Sequence, residues 1–241
     1  MKNLISQDIY TESSSQQHVI GALGVDKYGD RYRYVKAGGS ALVTGNMLQE
    51  PAEDANFRSM AVDTAAAIGA TTVSVTLGGT AVTANLFDEG ILYVESSTGI
   101  GQQFRIKRHQ VQTSTSGSCD FVLDRPLKIA LTTSSQVTVR KNPFKGVIQT
   151  PVTTVTGGPV GVALYAQTAS YFGWIKSGGE CAVLFDSGGN TANEALAIEV
   201  SVAVAGSVKV SDGTAGDTVV GFSREVVSTD STMGLAHLTI D

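Results

Sequence analysis

The sequence predicts an all-β protein made of antiparallel β-sandwich or barrel modules with an extended N-terminal arm. Three observations predict it. Short apolar segments alternate with polar residues at period two, and turn signals recur between them. Glycine is abundant, 27 residues against five prolines, with no three-residue collagen period; glycine accepts positive φ in tight turns without steric cost. The two most patterned stretches, Asp26–Leu48 and Thr71–Val94, both read as short strands broken by glycine turns.

Residues 1–20 are polar and read as an arm with little reason to fold alone; fully extended, it spans roughly 66 Å. Residues 24–49 read as two or three strands. Within Arg31–Lys36, alternation puts Tyr32 and Tyr34 on one face and Arg31 and Arg33 on the other, with turns at Gly38-Gly39 and Gly45. Residues 51–68 are ambiguous: Pro51 suits a helix start, and the small residues of Met60–Ile68 suit a packed strand, the preferred reading.

Residues 69–141 read as an inserted β module, with residues 21–68 and 142–241 forming the main β domain around it. Val73, Val75 and Leu77 alternate with hydroxyl residues, and Gly78-Gly79 then reads as a two-residue hairpin turn. Thr83–Gly90 reads as one helical turn with Thr83 as N-cap and Gly90 beyond the C-cap. Strands follow at Ile91–Glu95, Gln103–Gln110, Asp120–Leu123 and Gln136–Arg140. In the remainder, strands are expected at Gly161–Leu164, Tyr171–Lys176, Cys181–Phe185, Ile198–Val204, Ser207–Val210, Val219–Arg224 and Ala236–Ile240. Turns are expected at Gly178-Gly179, Ser187–Asn190 and Asp212-Gly213.

Composition narrows the partners. A net charge of -5 and a pI near 5.2 give no general attraction to nucleic acid or anionic lipid, so neither is expected as a partner. The N-terminus lacks the apolar run of a signal peptide, no segment approaches the ~20 apolar residues of a membrane span, and there is no Asn-x-Ser/Thr sequon. The expected place of synthesis is a cytoplasm. Cys119 and Cys181 stand in no metal-binding or CxxC spacing and are expected as buried thiols.

The search for chemistry yields no catalytic, cofactor or metal set. Gly99-Ile-Gly101 lacks a third glycine and a following helix, and GxxxxGK[ST] and GxSxG are absent. His18, His109 and His237 are scattered. Asp88 with Glu89, and Glu50 with Glu53 and Asp54, are the densest carboxylates, and turn capping accounts for them better than the paired acids of a glycosidase. Asp186–Asn190 and Asp212–Asp217 are conceivable calcium loops without the EF-hand pattern. On the strand Phe104–His109, Arg105, Lys107 and His109 are expected on one face, opposite Phe104, Ile106 and Arg108. Such a basic strand docks an acidic protein surface or stands as a charged, aggregation-blocking edge. Trp174, with Tyr171 and Phe172, is either core or an interface anchor. The candidate partner-binding residues are therefore Arg31, Arg33, Arg105, Lys107 and Trp174.

Three regions carry a resemblance. They are Gly29-Asp-Arg-Tyr-Arg-Tyr-Val-Lys-Ala-Gly38 with Gly45; Ile68-Gly-Ala-Thr-Thr-Val-Ser-Val-Thr-Leu-Gly78 continuing to Gly99-Ile-Gly101; and Asn142-Pro-Phe144 with Gly146-Val147, Pro159–Val162 and Tyr171-Phe-Gly-Trp174. The sequence resembles the head decoration, or cement, proteins of tailed bacteriophages. The resemblance implies a non-enzymatic virion structural protein on the capsid exterior, bound to the major capsid protein, commonly as a homotrimer at three-fold or quasi-three-fold positions. The arm would then reach a neighbouring capsomer. The alternative is a tail, spike or adhesin domain that binds a host surface glycan.

Overall fold

The computed structural model describes residues 8–186, 196–213, 218–227 and 229–241. They form an all-β structure in two sheets, with no α-helix among the described residues. The chain divides into two compact units, one of Met1–Ala52 with Pro143–Asp241 and one of Glu53–Asn142.

Along the chain, the discontinuous unit first supplies β1 (Leu23–Val25), β2 (Arg31–Ala37) and β3 (Met47–Gln49). The inserted unit follows with a 3-10 turn (Ala55–Phe57), β4 (Met60–Ala61), β5 (Thr72–Thr76) and β6 (Ile91–Ser96). It continues with β7 (Gln103–His109), β8 (Ser118–Leu123) and β9 (Gln136–Arg140). The chain then returns as β10 (Lys145–Gln149), β11 (Pro159–Ala163), β12 (Phe172–Phe185) and β13 (Ala197–Val200). It ends with β14 (Val208–Val210), β15 (Val219–Ser223) and β16 (Thr232–Thr239).

The ten-stranded sheet of the discontinuous unit closes on itself twice, and β12 belongs to both circuits. The first ring runs β2-β10-β3-β11-β12 and closes where β12 pairs antiparallel with β2, from Phe172 opposite Lys36 to Gly178 opposite Arg31. The second runs β12-β14-β13-β15-β16 and closes where β12 pairs with β16, from Gly178 opposite Thr239 to Phe185 opposite Thr232. Val35, Ala37, Leu48, Val147 and Ile175 pack together in the first ring; Val183, Phe185, Ile198, Val208, Val220 and Leu238 pack together in the second. Closure removes open sheet edges at which chains aggregate, leaving the three-residue β1, paired only with β2, outside the rings.

Sharing β12 requires a continuous 14-residue strand, so the expected turn at Gly178-Gly179 is absent. Those glycines make room for a side chain. Gly179 has φ +89, and a Cβ there would collide with the Asp30 carboxylate. That carboxylate takes the Lys176 ammonium and accepts the Glu180 N–H at 3.3 Å. Asp30 thus spans the point where β12 passes from one ring to the other.

Alternation along β2 is as the sequence predicts. Tyr32 and Tyr34 are buried, and with Ile20 and Trp174 they form a separate apolar cluster on the opposite face of β2 from Val35 and Ala37. The cluster is covered by the N-terminal segment, which revises the arm. Residues 1–7 lie outside the described residues, but 8–20 lie along their own domain. Ser13 exchanges both backbone hydrogen bonds with Phe172, at 2.9 and 2.8 Å. The Glu12 carboxylate accepts from the Thr168 N–H at 2.6 Å and its hydroxyl at 2.7 Å. Gln17 N–H donates to the Tyr34 hydroxyl at 3.0 Å. A polar segment folds here because the body supplies the partners it lacks by itself.

The inserted unit orders its strands β4-β9-β6-β7-β8-β5, and the bridge Val62–Val75 joins the two ends into a nearly closed barrel. Phe57, Phe87, Leu92, Ile106, Phe121 and Val137 fill it. The unit begins at Glu53, so the expected start at 69 is corrected: Phe57, Met60 and Val62 belong to this core and not to the main domain. Pro51 opens no helix. Asp54 caps the 3-10 turn by accepting the Asn56 N–H at 2.9 Å. Of the expected strand, Met60–Ala61 pairs with β9, and Val62 and Ala66 make only single bridges, to Val75 and Leu131.

Two further expectations are corrected. Gly78-Gly79 closes no hairpin, because β5 pairs with the distant β8. Thr83–Gly90 is a series of turns with Asn85 and Glu89 in left-handed geometry, φ 59 and 64. Strand β10, which had no counterpart in the sequence reading, runs parallel to β2.

Removal of residues 2–18 is expected to uncover Tyr34 and Trp174 and to lower stability by ~2–4 kcal/mol, from lost hydrogen bonds and burial. Trp174 is the single tryptophan and only 4% exposed, so its fluorescence reports the change directly. A red-shifted emission with a lowered Tm is expected; unchanged emission and Tm would show that the segment seals nothing.

Candidate interaction surface

The five candidate residues fall into two groups. Arg33 and Trp174 are structural. The Arg33 fork holds the Asp241 carboxylate through Nε at 2.6 Å and Nη2 at 2.7 Å, while Nη1 donates to the Gly21 carbonyl at 2.8 Å. Its guanidinium also lies over the Phe144 ring at 5.4 Å. Trp174 sits 5.3 Å from both the Tyr34 and His18 rings. Both are therefore engaged within the fold, Trp174 buried and Arg33 half-buried.

Arg31, Arg105 and Lys107 face solvent. On β7, Phe104 and Ile106 point into the inserted barrel, and Arg105 and Lys107 point out. A register shift between Ile106 and Arg108 then inverts the alternation. Arg108 consequently joins the outward row, and His109, expected outside, turns inward. The His109 ring has a buried side chain and packs against Phe87 and Phe121, accepting the Phe87 N–H on Nε2 at 3.1 Å. With Nε2 accepting, Nδ1 carries the proton and donates to the Gln110 carbonyl at 3.0 Å. A bulge leaves no composition signal, so periodicity alone missed it.

Charge is unevenly divided between the units. Residues 53–142 contain eight Lys or Arg against eight Asp or Glu, leaving nine against fourteen in the rest of the chain. The inserted unit's cations are concentrated: Arg105, Lys107, Arg108, Arg125 and Lys128 lie within 24 residues and are all exposed. Several of its carboxylates are committed internally. Glu53 pairs with Arg58 at 2.6 Å and Arg140 at 3.0 Å; the Arg58 hydrogen bond above all holds its carboxyl below the usual range. Glu95 accepts from Thr138 at 2.7 Å and from Ser59, and these hydrogen bonds lower it likewise.

The discontinuous unit has a groove of about 250 Å³ beside β12, lined by Tyr10, Gly45, Leu164, Lys176, Glu180 and Met233. Its charges are already engaged: Lys176 by Asp30, and Glu180 by Arg224 at 2.7 Å and His237 at 2.9 Å. The Glu180 carboxyl is accordingly held low, chiefly by the Arg224 hydrogen bond. Burial pushes the Cys119 thiol up to about 11 and the Cys181 thiol up to about 12; both cysteines are unbridged, and neither is a thiolate near neutral pH. Among the described residues no three His, Cys, Asp or Glu side chains converge as metal ligands. The loops weighed for calcium fall largely outside the described residues. Of their first carboxylates, Asp186 accepts the Ser201 hydroxyl and Asp212 pairs with Lys209.

No family model, curated protein or solved structure matches this chain.

The Arg33–Asp241 pair gives a pH prediction. Burial raises the Asp241 carboxyl, but the Arg33 hydrogen bonds and charge outweigh it and the net shift is downward. A carboxyl depressed in the folded state stabilises above its unfolded value, near ~4, and loses that contribution as pH falls through the folded value. Asp241→Asn is expected to cost ~1–3 kcal/mol at pH 7. The difference from the unsubstituted chain should shrink below about pH 4 in denaturant titrations; a pH-independent difference would contradict the ion pair.

Proposed function

We propose that the protein is a non-enzymatic virion component that binds the outside of an assembled phage capsid and cements contacts between capsomers. The observation that carries this reading is the resemblance of residues 29–45, 68–101 and 142–174 to phage head decoration proteins. Two features of the molecule support it. Its two rings close and its barrel nearly closes, so most of its strands have hydrogen-bonded neighbours on both sides. The exposed row Arg105, Lys107 and Arg108 gives a neutral unit one locally basic face suited to a protein surface bearing carboxylates.

A ligand that binds the assembled shell but not its separated subunits stabilises the shell by mass action. Repetition over symmetry-related positions makes weak contacts effective, because each added contact is intramolecular once the first has formed. A trimer matches a three-fold shell position with three identical contacts.

The test uses empty shells of the phage whose genome encodes the chain. Added protein is expected to sediment with the shells and to raise their rupture temperature. Arg105→Glu with Lys107→Glu should weaken binding about tenfold or more and flatten its salt dependence, with Tm within about a degree of the unsubstituted chain. Light scattering of the purified protein should give a mass near three chains. Failure to bind shells, with binding instead to host surface polysaccharide, would favour the adhesin reading.

A further inference from the structure

The strands of the inserted unit give it two distinct ends. Ile91 lies opposite Arg140 and Ser96 opposite Gln136, so β6 runs away from the attachment residue Asn142. The far end is therefore built from three turns: residues 62–71 between β4 and β5, 97–102 between β6 and β7, and 124–135 between β8 and β9. Each turn holds an isoleucine out in solvent: Ile68 is 69% exposed, Ile100 64% and Ile129 49%. Turn positions normally carry Gly, Asn, Asp or Ser, and these isoleucines add nothing to the core.

The turns are fastened to one another. Ala66 and Leu131 exchange backbone hydrogen bonds at 2.9 and 2.8 Å, and Gly69 N–H donates to the Leu127 carbonyl at 2.9 Å. The Gln102 carboxamide accepts from the Lys128 and Ile129 N–H groups at 2.9 and 3.0 Å and donates to the Ile129 carbonyl at 3.0 Å. The Ser135 hydroxyl donates to the Thr98 carbonyl at 2.7 Å. The three isoleucines therefore ride on one preorganised end, and fixing them in a complex costs little further entropy. In the same turns Arg125 and Lys128 are exposed, while the adjacent Asp124 carboxylate accepts the Arg105 N–H at 2.9 Å.

The geometry points to this end of the inserted unit as the docking surface for the capsid shell, a proposal that rests on the cement reading. Ile68, Ile100 and Ile129 enter an apolar depression on the shell protein, and Lys128 and Arg125 meet carboxylates on its rim. Charge complementarity selects an acidic rim. A lipid surface fits less well: the three turns contain no aromatic residue of the kind that anchors proteins at a membrane interface, and the chain's net charge of -5 opposes an anionic bilayer.

The test measures binding of the full-length chain to the same empty shells by sedimentation across a protein titration, with far-UV circular dichroism and Tm confirming the fold of each variant. Ile68→Asp, Ile100→Asp and Ile129→Asp should each weaken binding about tenfold, and the triple variant should not bind. Lys128→Glu should weaken binding and reduce its salt dependence. If the unsubstituted chain binds and the folded triple variant binds equally, the docking surface is elsewhere and the cement reading survives. If the unsubstituted chain does not bind, the cement reading and this surface fall together. Binding to phosphatidylglycerol vesicles that is lost in the triple variant would instead overturn the protein partner in favour of a membrane.

Discussion

Strand β12 is the constraint on which the larger unit depends. Its first half closes one ring against β2 and its second half closes another against β16, so neither ring is complete without the same 14 residues. The arrangement places a demand on the crossing point, where Gly178 stands opposite both Arg31 and Thr239. Asp30 meets that demand by occupying the space over Gly179 and binding on either side of it, to Lys176 and to the Glu180 N–H. An ion pair with so little exposed surface on the lysine stabilises only when its geometry is held, and here the strand holds it.

The same logic explains which polar residues stay with the body of the protein and which face outward. Arg33 looks like a surface cation in the sequence, yet a bidentate fork commits it to Asp241, 208 positions away. Trp174 is sealed by a segment that reads as an independent arm. The row on β7 and the three turns at one end of the inserted unit face outward instead, both on elements tied down by backbone ladders. Side chains held on such elements lose little further freedom when fixed in a contact.

Much of the fold was legible because period-two alternation reports burial directly. Tyr32 and Tyr34 against Arg31 and Arg33, and the strands β6, β8 and β9, follow from it almost residue for residue. The misreadings share a physical cause: a local signal with two uses. Two adjacent glycines serve equally for a turn or for admitting a neighbour's side chain, and Gly178-Gly179 does the latter. At Gly78-Gly79, long-range pairing of β5 with β8 overrides the hairpin signal. One bulged residue reverses the face of His109 without changing composition. Of the candidate site, exposure of Arg31, Arg105 and Lys107 was readable from alternation. The partners of Arg33 and Trp174 were not, because both lie far away in sequence. The apolar turns were present in the sequence as Ile68, Ile100 and Ile129, but nothing local says that their three loops meet.

Native-state hydrogen exchange along β12 tests the shared-strand picture most directly. If one strand welds the two rings, the slowest amides between Ile175 and Val183 should open with a single common free energy, equal to that of global unfolding. The protected amides of β13, β15 and β16 should open with them. A second ring that opens at distinctly lower free energy, while the Phe172–Ile175 half stays protected, would contradict it.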